Sequence, residues 1–404
     1  SSTCIFHHHV TFLSSACLPA NVQTATRFCR PARPAKKPKN NTQQHQNNSN
    51  KHNNTFFSFF FFLISCVRRC KLQPNILRGN MPGLLQNLLT FTLLVSFCLI
   101  STAVEAPKIH NVHDLTDREL SLMAAISRTV PEEEKRVCVF LHGSGNKDEG
   151  NETDTFTGYW GNVHQFTPQC SERIFNHDDT TNFPFDNERL MRRFCDTATG
   201  EEGGAVISNR IVFTHSMGGN VLAAAIKHGY CDLDSTSSWY DASAPLAGSK
   251  AAVVIDKICQ DPSAWDEPLR WLAKELHYCK DGSAPGNASA AYLSMLPSYP
   301  GLEGLVDIAA RRVKGSLCGT SPLGLYSIYS VALGSVAEVV QFGEENDGLV
   351  GIDSCVLPSA EYANKFESDW YRAPLNHADT TCRNGNGYFD KEERMPCGWY
   401  SLRI

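Results

Sequence analysis

Ser216 stands between an apolar run, Arg210-Ile211-Val212-Phe213, and an Ala- and Leu-rich stretch from Asn220 to Lys227, inside Thr214-His215-Ser216-Met217-Gly218-Gly219. A serine between a strand end and a helix start sits on a tight turn that lifts its hydroxyl out of the sheet. Small neighbours two positions before and after it avoid collision with the adjoining chain. Gly218 meets that need, and Thr214 occupies the place where glycine is usual. A hydroxyl presented in this way can attack an acyl carbon. The N–H of Met217, at the positive end of the helix, then faces the oxyanion that forms. A second N–H is expected from the turn His142-Gly143-Ser144-Gly145, with Ser144 as the donor. Each such donor is worth roughly 3 to 4 kcal/mol of barrier.

A nucleophilic serine needs a base and an acid to orient that base. Asn346-Asp347-Gly348-Leu349-Val350 puts a carboxylate in a turn, and thirty residues on Asn376-His377-Ala378-Asp379 puts an imidazole in a polar loop. In the class of folds that this strand, serine turn and helix resemble, the partners follow in the chain order Ser, Asp, His, and both positions keep that order. Asp353 and Asp369 also precede His377 and compete with Asp347 for the acid's role. His142 reads as a structural histidine of the oxyanion turn, and His215 as a side chain packed beside the serine. Because the base must be neutral to accept a proton, acidification is expected to abolish activity.

These residues need a scaffold that brings distant segments together. Val137-Cys138-Val139-Phe140-Leu141 is a continuous apolar run too short for a helix, as expected of a strand covered on both faces. It runs straight into the His142 turn, and Arg210 to Phe213 repeats the arrangement before Ser216. Gly229 closes the helix that follows. Short β-branched runs alternate with Ala-rich helical patterns through residues 107–404, which predicts one α/β domain with a mostly parallel central sheet and helices on both faces.

The His-Gly-Ser-Gly turn, the His215-Ser216-Met217-Gly218-Gly219 segment, Ala244-Pro245-Leu246-Ala247-Gly248-Ser249, the Asp347-Gly348-Leu349-Val350 turn and the Asn376-His377-x-Asp379 loop occur in the order found in one superfamily. With them the chain resembles the α/β-hydrolases of the lipase and esterase type. The resemblance implies Ser216 as nucleophile, Asp347 as acid and His377 as base, with Met217 and Ser144 as oxyanion donors. It implies no cofactor, and a small-molecule or lipid ester as substrate, which is compatible with transient contact at a lipid interface. Other acyl chemistry on the same triad is the alternative: a lipid-anchor deacylase, an acyltransferase or a peptidase. A binding protein that keeps the fold without turnover is the rival of a different class. Oligomeric state stays open.

The stretch of about 250–344 is longer than one crossover needs and is expected to hold a cap over the site. Within it Trp265, Leu269, Leu272 and Leu276 recur at helical spacing with Pro268 near the start. Such a stripe serves either core packing or a lid that presents its face to an acyl chain. Tyr159-Trp160, His164 and Phe166 line a substrate pocket or pack a surface loop. Asp379 resembles a calcium ligand of some bacterial lipases, and Asn384, Asn386, Gly387, Asp390 and Glu393 carry part of a calcium-loop spacing. The first position of that loop is Cys382, however, so a disulfide-pinned turn is the preferred reading and no metal is expected.

The formal net charge of −5 over 404 residues hides an asymmetry. Residues 1–106 carry 11 Lys and Arg against one Glu, and residues 107–404 carry 26 against 41 Asp and Glu. An acidic main portion has no electrostatic reason to bind nucleic acid, which sets that class of partner aside. Residues 1–80 are low-complexity sequence, with His7-His8-His9, an Asn/Gln run from Asn40 to Asn54 and the Phe-rich Phe56 to Phe62. From Met81 the apolar stretch Leu88 to Ile100, then Val104-Glu105-Ala106, has the form of a secretory signal over 81–106. Translation is therefore expected to start at Met81. The rival is an uncleaved membrane anchor preceded by Arg68, Arg69 and Arg78. Ten cysteines follow residue 106, an even number that suits an oxidising compartment and a secreted protein. Cys382 with Cys397 and Cys259 with Cys279 form natural local loops, and Cys138 is either paired or a free core thiol. Asn151-Glu152-Thr153 and Asn287-Ala288-Ser289 match the glycosylation acceptor pattern.

Overall fold

A computed structural model describes residues 131–280, 286–387 and 392–404. The upstream start, signal or anchor read between residues 1 and 106 lies outside the described residues, as does Asp390 of the calcium pattern.

Six strands form one sheet in which every pairing is parallel: β1 (Arg136–Leu141), β2 (Cys170–Phe175), β4 (Arg210–His215), β6 (Ser238–Ala242), β7 (Val313–Gly319) and β8 (Trp370–Ala373). Their spatial order is β2-β1-β4-β6-β7-β8. A two-stranded parallel ribbon, β3 (Val206–Ile207) with β5 (Asp232–Leu233), lies apart from it. The apolar run read as a doubly covered strand is β1, and Cys138 through Leu141 have no exposed surface. Alternate residues feed two cores. Val139, Leu141 and Val212 pack with Leu190, Phe194, Val221 and Leu222 on one face. Cys138, Phe140, Ile211 and Phe213 pack with Trp160, Phe175 and Tyr400 on the other. Burial on both faces is what removes the polar alternation from these strands.

The helices divide between the two cores. Trp160 of α1 (Thr157–Trp160) and Tyr400 of α10 (Pro396–Ser401) belong to the second core. The first core receives α2 (Glu188–Thr199), α3 (Met217–Lys227), α4 (Lys250–Gln260), α5 (Glu267–Glu275), α6 (Ala290–Ser294), α7 (Leu305–Arg312), α8 (Ile328–Val340) and α9 (Ile352–Cys355). Local chemistry sets their ends. Asn187 accepts the Leu190 N–H to start α2, and Ser249 accepts the Ala251 N–H to start α4.

One expectation needs correction, and one open alternative is decided. The stretch of about 250–344 is not one cap insertion, because it contains β7, which pairs with β6 and β8. Val-Lys-Gly-Ser-Leu-Cys-Gly lacks a continuous apolar run, and its strand character comes from the neighbours it pairs with. The helix with the Leu269 and Leu272 stripe exists as α5, but those leucines are 2% and 1% exposed inside the first core. Trp265 and Leu276 pack against the same core, so the stripe faces protein.

The ten cysteines after residue 106 form five disulfides: Cys138–Cys170, Cys195–Cys231, Cys259–Cys279, Cys318–Cys355 and Cys382–Cys397. Cys138 is thus bonded to the neighbouring strand.

Candidate active site

Ser216 follows the last residue of β4 and caps α3, with φ 54° and ψ −134°. Left-handed φ at a non-glycine residue is strained, and the surroundings enforce it here. The Ser216 N–H donates to Ala242 O at 2.8 Å, and the Gly219 N–H donates to Ser216 O at 3.0 Å. A Cβ at Gly218 would lie 2.6 Å from the Leu141 carbonyl oxygen, so only glycine lets α3 start this close to the end of β1. Thr214 has its own explanation. Its hydroxyl accepts the Trp239 Nε1–H at 2.7 Å and donates to the Asp241 carboxylate, joining β4 to β6 beneath the serine. Burial pushes the Asp241 carboxyl up to about 7.

The three distant segments named from sequence meet at this turn. The Ser216 hydroxyl donates to His377 Nε2 at 2.9 Å, and His377 Nδ1 donates to Asp347 Oδ2 at 2.7 Å. The carboxylate only accepts, so Nδ1 carries the proton and Nε2 is left basic toward the serine. The other oxygen, Asp347 Oδ1, accepts the N–H groups of Leu349 at 2.9 Å and Val350 at 2.7 Å. The backbones are also tied, since the His377 N–H donates to Asp347 O at 2.9 Å. Ser216, His377 and Asp347 are 5%, 8% and 1% exposed, so the chain of hydrogen bonds runs largely out of water's reach. The competing acids are engaged elsewhere: Asp369 pairs with Arg403, and Asp353 faces Glu344.

The His142–Gly145 turn lies against the serine. A Cβ on Gly143 would stand 2.6 Å from Ser216 Cβ and 2.8 Å from His215 O. The Gly143 N–H is already committed to the Tyr159 hydroxyl at 2.7 Å, which makes the next amide, that of Ser144, the one in this turn to consider for an oxyanion. The Met217 N–H belongs to the first turn of α3, whose amides have no partner inside the helix. His142 is fully buried, and its Nδ1 donates to Gly143 O at 2.8 Å. Burial lowers it to about 4, which keeps the ring neutral and structural.

Asp379 braces the histidine loop. Oδ2 accepts the Leu325 N–H at 2.7 Å and the Asn376 N–H at 3.2 Å, and Oδ1 accepts Asn384 Nδ2–H at 2.7 Å. Both carboxylate oxygens are thus engaged by the protein's own N–H groups. Among the described residues no group of His, Cys, Asp or Glu is arranged to hold a metal ion.

Sequence reasoning did not find the part played by Tyr159, which bonds both Gly143 and His215. Its signal was only an aromatic pair in a polar stretch. Its neighbour Trp160 is wholly buried and Phe166 is 6% exposed, both in the second core.

No family model matches the chain, and no curated protein sequence matches it. Similar solved structures include the mature form of a Bacillus licheniformis lipase, at 18% identity over 63% of this chain and 89% of that one, with a TM-score of 0.41. The lipase of Staphylococcus hyicus is 13% identical over 67% of this chain and 94% of that one, with a TM-score of 0.38. A metagenomic carboxyl esterase is 12% identical over 67% and 74%, also with a TM-score of 0.38. By its own parallel sheet order and its strand, serine turn and helix junction, independently of those likenesses, the chain has the α/β-hydrolase fold.

Proposed function

We propose that the protein is a serine hydrolase that cleaves carboxylic esters, lipid esters among them, through an acyl-enzyme. The observation that carries this reading is the unbroken hydrogen-bond chain from Ser216 through His377 to Asp347 at a strained strand-to-helix turn. The Ser216 oxygen attacks the acyl carbon as its proton passes to His377 Nε2. Asp347 holds the imidazolium that results. The Met217 and Ser144 amides bind the oxyanion, and the imidazolium protonates the departing alcohol as the tetrahedral species collapses. Water then repeats the sequence in reverse and releases the acid. No group beyond these side chains and amides is needed to balance the steps.

Five disulfides favour an oxidising compartment, so we place the protein outside the cytosol, secreted or exposed on the outer side of a membrane. Among the described residues no helix is long and apolar enough to cross a membrane.

The test is labelling with a serine-directed fluorophosphonate alongside turnover of p-nitrophenyl esters of increasing chain length. Ser216 is expected to carry the label, and Ser216→Ala to lose both the label and roughly 10⁶ of the turnover. Retention of wild-type turnover by Ser216→Ala would refute the assignment, and absence of both label and turnover in the wild type would favour the binding-protein alternative.

A further inference from the structure

Three hydrogen bonds converge on the segment before the nucleophile, and the proton count fixes their directions. The Gly143 N–H can only donate, so the Tyr159 oxygen accepts it, at 2.7 Å. Tyr159 has one hydroxyl proton to give, and His215 Nδ1, at 2.6 Å, accepts it when the ring's own proton sits on Nε2. The other ring nitrogen, His215 Nε2, lies 3.1 Å from the carbonyl oxygen of His377 and 3.2 Å from Thr380 Oγ1. A carbonyl accepts only, so Nε2 carries the proton. Thr380 donates its own hydroxyl to the same carbonyl at 2.9 Å. The result is one directed chain from the oxyanion turn, through a phenol and a neutral imidazole, to the backbone of the residue assigned as the base.

From this we infer that Tyr159 and His215 are positioning residues, which set the oxyanion turn and the His377 imidazole in register across the serine. The inference rests on the hydrolase reading, because it assigns the bridge a part in that chemistry. Two further contacts hold the same parts together. Arg383, from the His377 side, donates Nε–H to Tyr159 O at 2.8 Å and lies over the tyrosine ring at 5.0 Å. The rings of His215 and His377 stand 4.8 Å apart.

That proximity makes the charge state of His215 matter. When His377 takes the serine proton it becomes a cation, and a second cation at this distance would oppose it. His215 is 3% exposed, and burial, with His377 adding to it, holds its proton affinity well below the usual histidine value. The bridge therefore supplies hydrogen bonds without supplying charge. It also explains why a phenol serves here. A phenol can accept from an amide and donate to an imidazole at once, and phenylalanine can do neither.

The test joins a spectroscopic readout to kinetics on the full chain. In ¹⁵N-histidine spectra at pH 7, with His215 assigned by difference from His215→Gln, Nδ1 is expected to show the unprotonated type and Nε2 the protonated type. Tyr159→Phe is expected to lower kcat by about 10- to 100-fold, counted per fluorophosphonate-reactive site, with KM for p-nitrophenyl butyrate within about twofold. His215→Leu should match it. His215→Gln, whose amide offers one acceptor and one donor, should stay within about threefold of wild type. A merely structural tyrosine would lower the number of reactive sites and the melting temperature but leave kcat per site unchanged, and that result would overturn the inference. Protonation of His215 at Nδ1 would also overturn it, whatever the kinetics. A wild-type protein with neither label nor turnover would refute the hydrolase reading and with it the bridge's catalytic part, while the spectrum would still decide whether the bridge exists.

Discussion

Asp241 lies under the serine turn with 1% of its surface exposed, and it does no chemistry. Its carboxyl accepts the Thr214 hydroxyl and the amides of Ala242 and Ala244, and no cation is among the groups that act on it. Burial therefore wins, and the folded chain holds this proton up to about pH 7, against 3.8 for an ordinary aspartate. The sign follows directly. Between those two values the folded state binds more protons than the unfolded one, so stability falls as pH rises through the window and levels off above about 7. At about 1.4 kcal/mol for each tenfold change in proton affinity, the loss amounts to a few kcal/mol. Asp241→Asn keeps an acceptor for Thr214 and removes the titration. It is expected to be more stable than wild type at pH 8, with the advantage gone near pH 4. Urea unfolding at the two pH values measures this, and parallel pH dependence of the two proteins would count against a buried neutral acid. At this scale the sequence was legible where a residue type announces its chemistry. Ser216, Asp347 and His377 could be named because a motif and a chain order single them out. The value of Thr214, and of Tyr159 as a bridge, depends on partners such as Trp239 and Gly143 that lie far off in the chain, and no local pattern records them.

Helix α5 shows what periodicity can and cannot say about an element. The spacing of Trp265, Leu269, Leu272 and Leu276, with Pro268 at the start, identified a helix and its apolar face, and both are present. Periodicity does not say what the face meets. A stripe turned toward an acyl chain and a stripe turned toward other helices have the same spacing. Leu269 and Leu272 share a core with Ile255, Leu333 and Val336 of helices α4 and α8, which decides for packing. Leu272→Ala should therefore cost about 2 to 5 kcal/mol of stability, as buried leucine truncations do. KM should stay flat across the p-nitrophenyl chain-length series. A KM that rises selectively for long chains, with stability intact, would restore the lid reading. Strand β7 was missed for a related reason. Its pattern is weak on its own, and it becomes a strand only because β6 and β8 offer a ladder on each side.

At the scale of the whole molecule, distant segments must bring Asp347 and His377 to one serine, and two of the five disulfides lie in those segments. Cys318 ends near the top of β7 and bonds Cys355 in α9, and Asp347 lies on the stretch between them. Cys382 follows His377 by five residues and bonds Cys397 in α10. Even cysteine number was legible in the sequence, and so were the short loops Cys259–Cys279 and Cys382–Cys397. The pairing of Cys138 with Cys170 was not, since it requires knowing that β1 and β2 are neighbours. These bonds should divide by function. Cys138–Cys170 joins strands that a parallel ladder already holds, with a sequence separation of 32, and it should contribute stability without tuning the site. Cys382–Cys397 spans 15 residues and begins five residues after His377, the base in the function we propose. In the chain-entropy account each is worth about 3 to 4 kcal/mol. Replacing each pair by serine or alanine should lower the urea midpoint by comparable amounts, with a different kinetic outcome. The Cys138/Cys170 variant should keep kcat per fluorophosphonate-reactive site within about twofold. The Cys382/Cys397 variant should lose about tenfold or more, because an imidazole displaced by a fraction of an ångström from Ser216 forfeits much of the rate. Equal kcat in the two variants would mean that the hydrogen bonds of Asp379 and the ties to Asp347 hold the base in place unaided, and that the disulfide beside it serves the fold alone.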